Sequence, residues 1–193
     1  LLAFAQQQRP DLIVVGPDNP LALGIVDLFT QHGLRAFGPN RKAAQFEASK
    51  AFAQGFMERY NIPTARAEIF TEFEPASRFA ASIGGRCAVK ADGLALGKGV
   101  ILSRDMAQAD AALDEILVKK TFGAAGATVV IQELLTGMEV SLHAVCDGKT
   151  ARLFPTSQDH KAALDGDRGP NTGGMGTYSP APFLDEAELI SVR

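Results

Sequence analysis

The 193 residues are room for one ordinary domain or parts of two, and 46% hydrophobic residues with a mean hydropathy of +0.03 allow a sizeable core, which excludes a disordered chain. Nineteen Lys+Arg against 22 Asp+Glu leave a formal charge of −3, both signs being scattered, which excludes the basic footprint of a nucleic-acid binder. No window approaches the roughly 18 consecutive apolar residues of a spanning helix and the start lacks the marks of a secretory signal, so the expectation is a cytoplasmic protein with no membrane partner.

In chain order, Asp11–Val15 is a β-branched run, apolar on both faces and ended by Gly16-Pro17, as a central parallel strand would be. A helical period from Leu21 to His32, closed by Gly33, leads to a short strand Arg35–Phe37 ended by Gly38-Pro39. This is one β-α-β unit. A doubly wound domain needs several, so residues 1–44 read as the C-terminal part of a nucleotide-fold-like (Rossmann-like) α/β domain. The chain opens at Leu1 without Met and stops at Arg193 inside a helix-like pattern, so a piece of something longer is expected.

Arg41–Tyr60 reads as one helix containing Ser49 and Lys50, stopped at Asn61-Ile62-Pro63, with residues 45–60 forming a connection. Residues 61–135 form a small α+β unit: strand Arg66–Phe70, helix Glu74–Ile83, strand Arg86–Lys90, strand Val100–Leu102, helix Met106–Val118 and strand Thr128–Glu133. Residues 136–193 begin a further subdomain with a hairpin, Val140–Cys146 and Ala151–Phe154 around Asp147-Gly148. Cys87 and Cys146 sit in strand-like apolar segments without any Cys-x-x-Cys spacing, so both are expected to be buried, reduced thiols.

The most informative segment is the turn Lys90-Ala-Asp-Gly-Leu-Ala-Leu-Gly-Lys-Gly-Val100. It fails as a Walker A loop, because three residues separate Gly93 from Gly97, Gly99 follows Lys98, and a strand comes next instead of a helix. Two readings stay open: glycines that only satisfy a hairpin turn, or a flexible loop whose amides, with Lys50, Lys90 and Lys98, hold a triphosphate.

Ser49-Lys50, Ala88-Val89-Lys90 with the glycine turn, and Val130-Ile-Gln-Glu-Leu-Leu-Thr-Gly-Met-Glu139 resemble the successive ATP-contacting motifs of the ATP-grasp superfamily. Val15-Gly-Pro-Asp-Asn-Pro-Leu21, Phe37-Gly-Pro39, Ser157-Gln-Asp-His-Lys161 and Gly169-Pro-Asn-Thr-Gly-Gly-Met-Gly-Thr-Tyr-Ser-Pro180 resemble, within it, the phosphoribosylamine–glycine ligase family of purine biosynthesis. The resemblance covers essentially the whole chain. It implies an ATP-grasp fold preceded by the end of the Rossmann-like domain, hence a mixed α/β and α+β architecture, with residues 61–135 as the small lid subdomain and 136–193 as the start of the large central one.

By the same resemblance, ATP is bound by Lys50, Lys90, Gly93, Leu94, Gly97, Lys98, Gly99, backbone groups of Gln132, Glu133, Leu134 and Leu135, and Glu139 on the ribose. The family more often has Glu where Gln132 stands. Substrate contacts fall to Pro17 and Asp18, where family members commonly have Glu, and to Asp159, His160, Lys161, Asn171, Thr172, Gly173, Gly174, Met175 and Gly176. From the pattern alone, residues 156–182 are a long aperiodic loop holding also Asp165, Asp167 and Arg168, either a binding loop or a surface excursion. His160 reads more readily as a structural hydrogen-bonding residue than as a base.

The implied reaction passes the γ-phosphoryl group of ATP to glycine, and the glycyl phosphate is attacked by the 1-amino group of 5-phosphoribosylamine, giving glycinamide ribonucleotide, ADP and phosphate. Lysines, loop amides and Mg²⁺ (or Mn²⁺) suffice for this without a protein nucleophile, and the metal ligands are expected downstream of Arg193. The competing readings are another ATP-grasp ligase or carboxylase, and a nucleotide-binding module without catalysis.

Overall fold

The computed structural model describes residues 1–95, 99–166, 168–184 and 186–191, and the chain divides into two compact units, Leu1–Leu135 and Thr136–Arg193. The first begins with α1 (Leu2–Gln8), β1 (Ile13–Val14), α2 (Asp18–Ala22), α3 (Ile25–Gln31) and β2 (Ala36–Phe37). β1 and β2 pair in parallel, Ile13 opposite Ala36 and Val14 opposite Phe37, which is the β-α-β unit. The run expected as one helix from Leu21 to His32 is two. Gly24, in the left-handed region at φ +87°, ends the first and starts the second, and a Cβ there would lie 3.3 Å from the Arg41 side chain.

The segment 41–60 is divided too, into α4 (Gln45–Ala48) and α5 (Lys50–Arg59). Ser49 is extended (φ −141°, ψ 112°) and its Oγ accepts the Phe52 amide at 3.0 Å, so it caps α5 where apolar periodicity alone would have carried the helix through. Gln54, buried in α5, donates from Nε2 to Glu58 Oε1 at 3.0 Å and to Ala65 O at 3.5 Å, which ties the helix to the chain entering the next strand.

There follow β3 (Ala67–Phe70), α6 (Phe73–Ser82), β4 (Arg86–Ala91), β5 (Val100–Arg104), α7 (Met106–Leu113) and β6 (Val129–Glu133). The strands form an antiparallel sheet in the order β3-β6-β4-β5. Period-two alternation gives it two unlike faces. Cys87, Val89, Ala91, Val129 and Ile131 are buried against Ala76, Phe79 and Ala80 of α6 and Ala109, Ala112 and Leu113 of α7. Alanines on both helices let them approach the sheet closely, and each fully buried Val, Leu or Ile contributes roughly 1.5–3 kcal/mol. The alternate residues Ala88, Lys90, Val130, Gln132 and Val100 share the opposite face. α7 does not continue as an ordinary helix to Val118: Asp114–Val118 is a π-helical turn, closed by Lys119 N donating to Asp114 O at 2.8 Å, before a 3-10 turn at Gly123–Ala127.

The second unit holds the hairpin β7 (Ala144–Cys146) and β8 (Ala151–Leu153), in which Asp147 Oδ1 accepts the amides of Lys149 at 2.9 Å and Thr150 at 2.8 Å. Next come β9 (Gln158–Asp159), β10 (Ala162–Leu164), β11 (Arg168–Asn171), β12 (Thr177–Tyr178) and α8 (Glu186–Ser191). β10 pairs with β11 inside the pair β9–β12, both antiparallel. The stretch expected to be an aperiodic loop is thus two nested ladders, too short and glycine-rich to show alternation. Cys87 is buried as expected, but Cys146 is exposed, because β7 covers neither of its faces with an apolar layer; both thiols are free.

Candidate functional site

In the first unit an open cleft of about 250 Å³ lies between α4, α5 and the second face of the sheet, lined among others by Phe46, Lys50, Met57, Lys90, Val130 and Gln132. Lys90 reaches it because it has the parity of Ala88 and Val130, and Lys50 because it opens α5. Lys90 Nζ donates to Gln132 Oε1, and Lys50 Nζ donates to Gly93 O at 3.1 Å. Burial pushes the Lys90 ammonium below its ordinary pKa, and the neighbouring Lys50 charge pushes it further the same way. Two ammonium groups held by neutral acceptors make a site with unspent positive charge, suited to a polyanion.

The glycine-rich turn is fixed at its two ends. Ala91 N donates to Gly99 O at 2.7 Å, and Gly93 N donates to Ala125 O at 3.3 Å. Neither glycine is there for a positive φ. A Cβ on Gly93 would stand 2.8 Å from Ala125 Cβ, and one on Gly99 would stand 2.6 Å from Ala95 Cβ, so both positions require the smallest residue for packing. Leu94 is half-buried in the turn, while Gly97 and Lys98 lie outside the described residues. Glu133 closes β6 by accepting the Arg66 amide on Oε1 at 2.7 Å; beyond it Leu134 and Leu135 are irregular, Leu135 being exposed.

Asp92 was not among the expected site residues, although it lies within the glycine turn. Its Oδ1 accepts from Ser49 Oγ at 2.9 Å and from Ala51 N at 2.7 Å, and its carbonyl accepts from Lys50 N at 3.1 Å. Phe46, Glu47, Gln54 and Met57 of the cleft were likewise missed as site residues. They sit on α4 and α5, where helical periodicity reports a buried stripe and does not say what it faces.

Pro17 and Asp18 begin α2 just after β1, on the side where an open parallel sheet takes ligands, and Asp18 is exposed with Oδ1 accepting the Asn19 amide at 2.8 Å. In the second unit two separated motifs come together. His160 N donates to Gly176 O at 2.9 Å and His160 O accepts from Met175 N at 2.9 Å, while Lys161 O accepts from Thr172 N at 2.7 Å and Thr172 Oγ1 at 2.9 Å. Gly174 N donates to Thr172 Oγ1 at 3.1 Å, and a Cβ on Gly174 would meet Asp159 Oδ2 at 3.0 Å. Gly173 has open space at its Cβ position, and Asn171 ends β11. Glu139 pairs with Lys161 at 3.6 Å across exposed surface, and its carbonyl accepts Gln158 Nε2 at 2.9 Å; Tyr178 OH donates to Gln158 Oε1. Gln158 and Tyr178 were not among the expected site residues, though both lie inside the motifs that carry them. Asp167 lies outside the described residues.

No group of three or more His, Cys, Asp or Glu that could hold a metal occurs among the described residues, and no helix among them is long and apolar enough to cross a membrane.

Residues 1–47 match the phosphoribosylglycinamide synthetase N domain, and residues 48–193 match the ATP-grasp (A) domain of the same synthetase. The chain is 54% identical over 184 residues to a phosphoribosylamine–glycine ligase of Allochromatium vinosum, covering 95% of this chain and 43% of that protein. It is 49% identical over 189 residues to one of Halalkalibacterium halodurans, covering 98% of this chain and 44% of that protein. The chain therefore spans less than half the length of these curated relatives. Among solved structures, a phosphoribosylamine–glycine ligase from Thermotoga maritima superposes with a TM-score of 0.80 at 31% identity over 95% of this chain and 45% of that one. A D-alanyl-alanine synthetase of Vibrio cholerae shares the fold, with a TM-score of 0.67 at 18% identity over 94% of this chain and 56% of that one.

Proposed function

The chain belongs to the phosphoribosylglycinamide synthetase family, and on that premise we propose that it supplies the nucleotide-holding portion and part of the substrate-holding portion of an ATP-dependent ligase. The reaction joins glycine to 5-phosphoribosylamine in purine biosynthesis, releasing ADP and phosphate. The observation that carries this reading is the cleft in which Lys50 and Lys90 converge beside a glycine-closed turn, each held by a neutral acceptor.

A carboxylate oxygen is a poor leaving group until it is phosphorylated. Lys50 and Lys90 hold the phosphates of ATP and offset the charge that gathers on the transferred group, which moves to the glycine carboxylate. Backbone groups after β6, Gln132 to Leu135, receive the adenine, and Glu139 receives the ribose. The amine of the aminosugar then forms its bond to the glycyl carbonyl carbon, and phosphate departs with the bonding pair. Pro17, Asp18 and the nested ladders carrying Asp159, His160, Lys161 and residues 171–176 are the contacts for glycine and the aminosugar phosphate. Magnesium accompanies ATP, and the described residues offer it no cluster of three or more His, Cys, Asp or Glu.

The test is complementation. A bacterial strain unable to make glycinamide ribonucleotide is grown without purines while carrying the whole gene in which this chain is encoded, intact or with Lys90→Ala. Growth with the intact gene and none with the variant supports the reading; no growth with either, in cells that contain the folded protein, overturns it. Extracts in which ADP formation follows bicarbonate instead of glycine would move the assignment to a carboxylase.

A further inference from the structure

Helix N-termini are ready anion sites, and α5 opens into the cleft at Lys50. Yet its first amides are already taken by the protein. Lys50 N donates to Asp92 O, Ala51 N to Asp92 Oδ1 and Phe52 N to Ser49 Oγ, while Ser49 Oγ itself donates to both oxygens of the Asp92 carboxylate, at 2.9 and 3.2 Å. The negative charge sits at the positive end of the helix, a favourable placement. No ion pair joins Asp92 to Lys50 or Lys90 among the described residues, so the carboxylate does not neutralise either cation.

Asp92 is anchored on its other side as well, since Asp92 N donates to Thr128 O at 3.0 Å just before β6, and the next residue, Gly93, supplies the carbonyl that holds Lys50 Nζ. One residue thus joins the end of β4, the start of β6 and the first turn of α5. We propose that Asp92 is a positioning residue for the nucleotide site: by clamping α5 to the glycine-rich turn it holds the Lys50 ammonium at Gly93, beside Lys90, before any phosphate arrives. A free lysine side chain loses rotamer freedom when it is fixed, and holding it in place beforehand spares the ligand that cost. This rests on the nucleotide reading above and adds the device that prepares the site.

The experiment is a titration of the protein with ATP in the presence of magnesium, using wild type, Asp92→Ala, Lys50→Met and the double variant, with melting curves to establish that each is folded. Asp92→Ala and Lys50→Met are each expected to weaken binding about tenfold or more, and the double variant no more than the weaker binder of the two, because both remove the same contact. A general loosening of the fold would instead multiply the two losses. Asp92→Ala binding like wild type, or a double variant showing the full product, overturns the inference and leaves the nucleotide reading intact. A folded wild type that takes no nucleotide overturns both. If Asp92→Ala does not fold, the same cycle is run on Asp92→Asn, which keeps the shape and gives up the charge, with the same non-additivity expected and the same product overturning it.

Discussion

Lys90 of β4 and Gln132 of β6 are diagonal neighbours on the open face of the sheet, Lys90 standing opposite Val130 and Gln132 opposite Ala88, and the ammonium of one donates to the amide oxygen of the other. A neutral acceptor orients the cation but leaves its charge uncompensated, half-buried and next to Lys50. That is a cost to folding, tolerated where the charge is needed. Lys90→Met should therefore raise the melting temperature by about 2–4 °C, the shift that about 1 kcal/mol produces in a chain of this size, while abolishing ATP binding. Calorimetric melting and titration of the same variant check both halves.

The same lysine sets a pH dependence. Its folded pKa is lowered from 10.5, so below that lowered pKa both folded and unfolded states carry the proton and the cost is fully present. As pH rises through the lowered pKa the native state releases its proton first, the unfolded state then binds more protons, and stability climbs relative to a variant without the group. The stability difference between wild type and Lys90→Met, measured by urea unfolding, should shrink steadily as pH approaches 10.5. A difference that stays flat or widens over that range would remove the lysine as its source.

Gly93→Ala places a methyl group 2.8 Å from Ala125 Cβ and 3.0 Å from Ala125 Cα. One of the contacted atoms is backbone, so little can give way, and overpacking of this kind costs about 1–3 kcal/mol. The expectation is a lower urea midpoint together with weaker ATP binding, since Gly93 O also holds Lys50. Restoring space with Ala125→Gly in the same chain should return much of the lost stability.

The two thiols should separate cleanly. Cys87 is buried under α6 and α7 with Sγ 3.1 Å from Ser103 Oγ, and burial pushes its pKa up, so it is inert as a nucleophile. Cys146 is exposed. A disulfide reagent applied to the native protein should modify Cys146 alone, and Cys87 only after denaturant is added; peptide mapping of the products decides it.

Much of the small α+β part could be read from sequence because its signals are local: Pro63 ends one pattern, β-branched runs alternate, and Met106 opens a helix behind the Asp105 cap. What was missed depends on contacts across long separations. Ser49 looks like any polar residue in a helix until Asp92, 43 positions later, arrives beside it. Gly24 interrupts a perfect apolar period through a single left-handed residue. The lysines and glycines of the site were legible as chemistry, whereas the surroundings that hold them, Gln132 Oε1, Gly93 O and the wall of α4 and α5, required the fold. His160 illustrates the opposite limit: its main chain joins a ladder in both directions, which no reading of an isolated histidine could supply.

The π-helical turn at Asp114–Val118 fits one more residue into the helix than an α-helical path would need there. Ile116 within it is wholly enclosed, and its carbonyl oxygen lies 2.9 Å from where a Cβ on Gly126 would stand, so the π-helical turn packs directly against the following turn. That following turn, Gly123–Ala127, is the one that sets Ala125 against Gly93. Excising one residue from 114–118 would yield a more regular helix and a worse protein, because everything downstream as far as the glycine turn's backstop would be dialled to a different angle.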